Sequence, residues 1–170
     1  MTFVFTSILP DSVDLQPTLI SGSDSIHFSG KEYLIVNQND DTKYLFEIRY
    51  EYHCGPFKQA MIVSNILAIG FEQYLYLFDL VTKTNILKLK MEGYFGHLYF
   101  NEDLFYVADS AGINCISKNA SIRWQNKNLG IDGVIINDFT NDKIAGSGEW
   151  DPPGGWRTFI LDNRTGSLIE

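Results

Sequence analysis

Alanine, the best helix former, is scarce in this chain. Alanine occurs 6 times in 170 residues, and no amphipathic run of helical period exceeds two turns, which excludes a helical bundle. The best helical stretch, Gly55 to Ala68, is weak. Basic residues are also few, 13 Lys and Arg against 21 Asp and Glu, for a formal net charge of −8. No basic cluster stands anywhere along the chain, so neither nucleic acid nor an anionic membrane is expected as a partner. No apolar run approaches the roughly 18 residues of a membrane helix. The opening segment Met1–Leu9 has no basic flank, is interrupted by Thr6-Ser7 and stops at Pro10-Asp11. It therefore reads as no export signal, and the expected location is cytoplasmic.

Chemistry-bearing patterns are missing too. The two cysteines, Cys54 and Cys115, lie 61 positions apart without a CxxC spacing and read as free thiols. His27, His53 and His97 are scattered, with no HxH or HExxH, so spacing supports no metal site. The stretch from Asn37 to Asp41 fails as a calcium loop, because Thr42 stands where Gly is needed and Ile48 where Glu is needed. No phosphate-cradling glycine loop or GxSxG elbow occurs. No catalytic set and no cofactor are expected, and the chain reads as a non-enzyme.

What the chain does have is 12 Phe, 9 Tyr and 3 Trp, 14% of its residues, together with abundant isoleucine. Such side chains suit a pleated, half-buried surface. Short apolar runs alternate with Asn-, Asp-, Gly- and Lys-rich turns, which predicts an all-β fold in a single domain spanning 1–170. Strands are expected from Thr2–Ile8 and Ser25–Phe28 through to Trp156–Leu161 and Ser167–Ile169.

Four segments share one plan of strand, turn, strand, turn, strand. They start at Tyr33, Leu67, Leu104 and Ile144, allowing one residue for the last. Units of about 40 residues with three or four strands match a propeller blade in size, and one such unit cannot cover its own apolar faces. Tyr74–Leu80, apolar on both sides, reads as a strand buried on both faces. Asp79-x-x-Thr82 recurs as Asp162-x-x-Thr165, while Gly70 aligns with Gly146; together they predict a seven-residue insertion in the fourth unit. Thr2–Ile8 is expected to supply the outer strand of that unit and close a ring. An open stack of hairpins, a two-sheet sandwich, or a half-ring completed by a second subunit are the alternatives.

The insertion carries the outlier of the sequence, Gly146-Ser147-Gly148-Glu149-Trp150-Asp151-Pro152-Pro153-Gly154-Gly155-Trp156-Arg157. As a recognition loop, Trp150 and Trp156 offer rigid contact area, and Arg157 grips carboxylates. As packing, the tryptophans fold back on the hairpin and Arg157 pairs with Glu149 or Asp151. Glu149 and Asp151 could form an acid/base pair only beside a sugar-sized cleft, of which no second wall is identifiable. Asp132-Gly133 reads as a turn before a buried strand, with Asp132 pointing into a central site as the alternative.

The repeat plan resembles the broad β-propeller superfamily of WD-, kelch- and quinoprotein-type repeats. The Gly-His…Trp-Asp pair and the kelch di-glycine array are both missing. The string Gly148–Arg157, with Asp132-Gly133-Val134 upstream, is similar to a motif of small bacterial proteins of about this length. That resemblance spans roughly residues 55–170 and carries no established activity. Size, charge and lack of a catalytic set favour a protein-binding module. Its sharpest form is an acidic immunity or antitoxin protein covering a basic partner, with candidate residues Asp132, Glu149, Trp150, Asp151, Trp156 and Arg157. A carbohydrate or small-molecule module, or a hydrolase using Glu149 and Asp151, are the alternatives.

Overall fold

A computed structural model describes residues 1–10, 14–21, 28–39, 42–151 and 154–169. The expected strand at Ser25–Phe28 falls largely outside them, as do His27, Asp40, Asp41, Pro152 and Pro153. The described residues contain fifteen strands in four sheets and no helix. The all-β repeat expected from composition and period is therefore the architecture. Each predicted repeat start lies in the second strand of its own sheet. The chain forms two compact units, Met1–Cys54 and Gly55–Glu170.

The first unit holds β1 (Thr2–Thr6), β2 (Thr18–Ser21), β3 (Gly30–Asn37) and β4 (Lys43–Tyr50), in the order β1-β3-β4-β2. Here the expected pairing of the opening strand with the fourth repeat fails. The opening strand pairs with β3 of its own repeat, Thr2 opposite Asn37 and Thr6 opposite Tyr33, so it covers an edge that a local partner reaches first. On the far edge β2 runs parallel to β4. Sequence reading missed this strand because it is short, follows Pro17 and buries only Ile20 among its described side chains. Glu47 in β4 is buried, with Arg49 Nε 2.7 Å and Lys31 Nζ 3.7 Å from its oxygens. Burial alone would raise its pKa; the Arg49 hydrogen bond and the Lys31 charge prevail and hold it below the ordinary value.

The second unit repeats an antiparallel meander three times. Its sheets are β5 (Lys58–Val63), β6 (Ile66–Phe71), β7 (Tyr74–Asp79) and β8 (Thr84–Lys90); β9 (Phe95–Asn101), β10 (Leu104–Asp109), β11 (Ile113–Ser117) and β12 (Ile122–Asn126); and β13 (Val134–Phe139), β14 (Lys143–Glu149) and β15 (Trp156–Asp162). The weak helical stretch Gly55–Ala68 is instead the β5–β6 hairpin, turned at Ser64, whose φ of 56° is left-handed. Beyond β15, Leu168 makes only an isolated bridge to Leu161.

Strand alternation explains the stacking. Along β10, Phe105 and Val107 face the first of these sheets and pack with Ala68, Leu75 and Leu77. Tyr106 and Ala108 point the other way and pack with Val134, Ile144 and Leu161 of the third. The middle sheet is thus buried on both faces, which is why β10, like Tyr74–Phe78, is apolar without alternation.

The Asp-x-x-Thr repeat has a physical basis. Asp79 Oδ1 accepts the amides of Val81 (2.8 Å) and Thr82 (3.0 Å), and Asp162 Oδ1 those of Arg164 (3.0 Å) and Thr165 (2.8 Å). These donors hold both carboxylates below their ordinary pKa, the Thr82 amide acting most strongly on Asp79 and the Thr165 hydroxyl on Asp162. Asp79 lies opposite Ile66 and Asp162 opposite Lys143. In this register Gly70 corresponds to Ser147, and the fourth-unit insertion is six residues long. The seven expected came from matching Gly70 to Gly146.

Neither cysteine is in a disulfide; Cys115 is buried and Cys54 half-buried. Burial pushes the Cys115 thiol from 9.0 up to about 11. Thiol-exchange reagents need the thiolate, so at pH 8 Cys54 is expected to label in the native protein and Cys115 only on unfolding. The fold holds the Cys115 proton more tightly than the unfolded chain does, so this contribution is complete below pH 9 and is lost as pH rises through about 11. Titrating melting temperature over that window checks it.

Candidate functional site

The first strands of the three meanders, β5, β9 and β13, neighbour one another in order. The residue just before each one occupies an equivalent place: Phe57, Tyr94 and Gly133. These three residues, with His97, Asp132, Glu149 and Trp156, line a cavity of ≈ 300 Å³ at that end of the unit. Two of the equivalent positions bring aromatic rings and the third brings bare backbone. A side chain at Gly133 would point at Trp156, with Cη2 3.5 Å from the Cβ position and the Tyr94 hydroxyl 4.0 Å away. The absent Cβ is therefore part of the cavity.

The aromatic wall is continuous. Phe57 stacks on Tyr94 with centroids 6.1 Å apart, and His97 lies 5.9 Å from Phe57 and 6.1 Å from Tyr99. Buried Glu72 fixes this corner: its backbone carbonyl accepts Phe95 N–H at 2.6 Å and its Oε2 accepts Gly55 N–H at 3.3 Å. Glu72 has a left-handed φ of 51°. That conformation disfavours a residue with a Cβ, and the surrounding bonds over-determine it.

The acidic wall comes from the third sheet. Glu149 closes β14 directly opposite Trp156, which opens β15, so the two share a face. Segment 130–133 lies alongside them, held by Ile131 N–H to Glu149 O (2.7 Å), Glu149 N–H to Gly133 O (2.8 Å) and Gly133 N–H to Ser110 O (2.8 Å). Each carboxylate is oriented through one oxygen. Tyr94 OH donates to the Asp132 carbonyl and, at 3.1 Å, to Asp132 Oδ1. Gly154 N–H donates to Glu149 Oε1 at 3.0 Å. Among the described residues the second oxygen of each has no protein donor. The field is negative: Tyr94 is pushed up to about 12, first by burial, then by the Asp132 hydrogen bond and the charges of Asp132 and Glu149.

Of the six residues singled out from sequence, Asp132, Glu149 and Trp156 meet in this cavity. Trp150 and Arg157 do not. Neighbouring strand residues face opposite ways, so they line a separate hollow of ≈ 180 Å³ with Leu129 and Phe159. There the Arg157 guanidinium lies 5.6 Å from the Trp150 ring centre, and the expected ion pair of Arg157 with Glu149 or Asp151 is replaced by this contact. Asp151 is exposed in the hairpin turn, its carbonyl accepting Gly155 N–H at 3.0 Å, and it is not part of the aromatic cavity's lining. Phe57, Tyr94 and His97 were missed from sequence. For Phe57 and Tyr94 the signal lay in aligning the repeats on the residue before each first strand instead of on the second strands; His97, inside β9, has no such signal.

No protein family matches the chain, and no curated protein matches its sequence.

Proposed function

We propose that the chain is a non-catalytic recognition module for a basic protein, in the manner of an acidic immunity or antitoxin protein that covers a cationic partner. The observation that carries this reading is the pair of carboxylates, Asp132 and Glu149, which line an aromatic-walled cavity and each keep one oxygen without a donor among the described residues. A net charge of −8 supports it by steering a basic surface toward the site from a distance. Aromatic rings beside the carboxylates add contact area at low entropy cost and lower the local dielectric.

The test is capture of partners from a lysate of the source cell by the immobilised chain. The expected partner is basic, and its capture falls at least about tenfold between low and high salt and again in an Asp132→Asn/Glu149→Gln variant. Glu92→Gln, which removes only a surface pair with Lys127, leaves capture intact. An acidic partner, or one indifferent to both salt and the double variant, overturns the reading. A carbohydrate reading draws on the Trp156 ring, 46% exposed over bare backbone, which offers a flat face to a sugar. Quenching of tryptophan fluorescence by a neutral sugar, undiminished in the double variant, would favour it.

A further inference from the structure

We infer that this cavity is a slot for a single arginine side chain of the partner, its guanidinium seated over Gly133 against Trp156 and the Phe57–Tyr94 stack and paired with Asp132 and Glu149. The inference rests on the basic-partner reading above and names what enters the site.

Size comes first. At ≈ 300 Å³ the cavity lies at the lower end of ligand pockets, the scale of a fragment or one long side chain. Shape comes second. The place a Cβ would take on Gly133 lies 3.5 Å from Trp156 Cη2 and 4.0 Å from the Tyr94 hydroxyl, so the base is narrow and favours a thin planar group over a branched one. Chemistry decides between the two basic side chains. A guanidinium is planar and weakly hydrated, stacks on aromatic faces and presents five donors in a fixed fork. An ammonium is a compact, strongly hydrated point charge. The oxygens without a donor among the described residues belong to different segments, the 130–133 stretch and the end of β14. A fork has separate donors to offer to each, and its plane has Phe57, Tyr94, His97 and Trp156 to lie against. Tyr94 OH already donates to Asp132, so that carboxylate is oriented before the ligand arrives and little ordering remains to be done on binding.

The experiment is a titration of the full chain, followed by amide and indole NMR, with three capped tripeptides Gly-X-Gly in which X is arginine, lysine or citrulline. The arginine peptide is expected to shift the Trp156 indole and the Gly133 amide, and to bind at least about threefold more tightly than the lysine peptide. Citrulline keeps the planar shape without the charge and is expected to bind at least about tenfold more weakly than arginine. Asp132→Asn/Glu149→Gln should weaken the arginine peptide by about tenfold or more, with an unchanged melting temperature showing that the variant is folded. Lysine binding as tightly as arginine overturns the slot, and so does citrulline matching arginine. Shifts at Trp150 and Arg157 in place of Trp156 and Gly133 also overturn it. If no peptide binds while salt-sensitive capture of a basic protein persists, the slot fails and the module reading stands. If the arginine peptide binds as described but captured proteins are acidic or indifferent to salt, the module reading fails and the slot stands.

Discussion

Gly148→Ala is expected to lower the stability of the second unit by at least about 3 kcal/mol and its melting temperature by on the order of 10 °C. A Cβ on Gly148 would sit 1.7 Å from the Leu129 carbonyl oxygen, 2.6 Å from its carbon and 3.1 Å from Gly130 Cα. All three are backbone atoms, so no side-chain rotation relieves the overlap. The 129–133 segment would have to move as a whole. It is tied on both sides: Leu129 and Gly130 N–H bond to Ala111 O at 2.9 and 3.2 Å, and Ile131 and Gly133 make the bonds beside Glu149. Moving it breaks several of these and leaves buried amides unpaired, each costing about 1–3 kcal/mol. The same segment carries Asp132 and Gly133, so the aromatic cavity is lost with the stability. Gly154→Ala is the control. Nothing lies within 4 Å of its Cβ position and its φ is +108°, so only the conformational penalty applies, about 1 kcal/mol or somewhat more. A Gly148→Ala protein melting within about 2 °C of the parent would mean that segment 129–133 does not cross β14 as placed.

The period was legible because it is written in residues that answer to local rules. Asp79 and Asp162 announce the same turn through the same side-chain bonds, and Tyr74–Phe78 announces double burial by lacking alternation. Edge strands were less legible. Which strand covers which edge depends on loop length and on what reaches the edge first, so β1 was expected as a strand but on the wrong edge, and β2 was too short and too exposed to be read at all. The site was half legible. Asp132, Glu149 and Trp156 stood out as unusual residues near turns, yet the string from Glu149 to Arg157 reads as one patch only until the two-residue strand period divides it between two faces. Phe57, Tyr94 and His97 are ordinary aromatic and histidine positions in isolation. Only adjacency of first strands from different repeats brings them together, and adjacency across sheets leaves no local trace in sequence.

Trp124→Ala is expected to cost about 3–5 kcal/mol and to make Cys115 reactive in the folded state. The indole packs on Tyr106 at 6.0 Å, fills the space over Gly166 and donates to the Asn163 carbonyl at 2.9 Å. Tyr106 OH reaches the same residue, donating to Asn163 Oδ1 at 2.6 Å. Asn163, in the third sheet's closing turn, is thus held by two aromatic side chains of the middle sheet, Tyr106 and Trp124. Trp124→Phe keeps most of the packing and drops one bond, for about 1–3 kcal/mol. Because the two bonds position one residue, Trp124→Phe with Tyr106→Phe should cost measurably less than the single changes added together. The labelling result separates packing from hydrogen bonding. Cys115 lies directly across from Trp124 in the β11–β12 pair, and both line a cavity of ≈ 460 Å³ open to solvent. Removing the indole lets water and reagent reach the sulfur, and the burial that pushes its pKa up is relieved. Native-state labelling at pH 8 should therefore appear in Trp124→Ala and stay absent in Trp124→Phe. Equal labelling in both would show that the Asn163 bond, not the bulk of the ring, keeps the space above Cys115 closed.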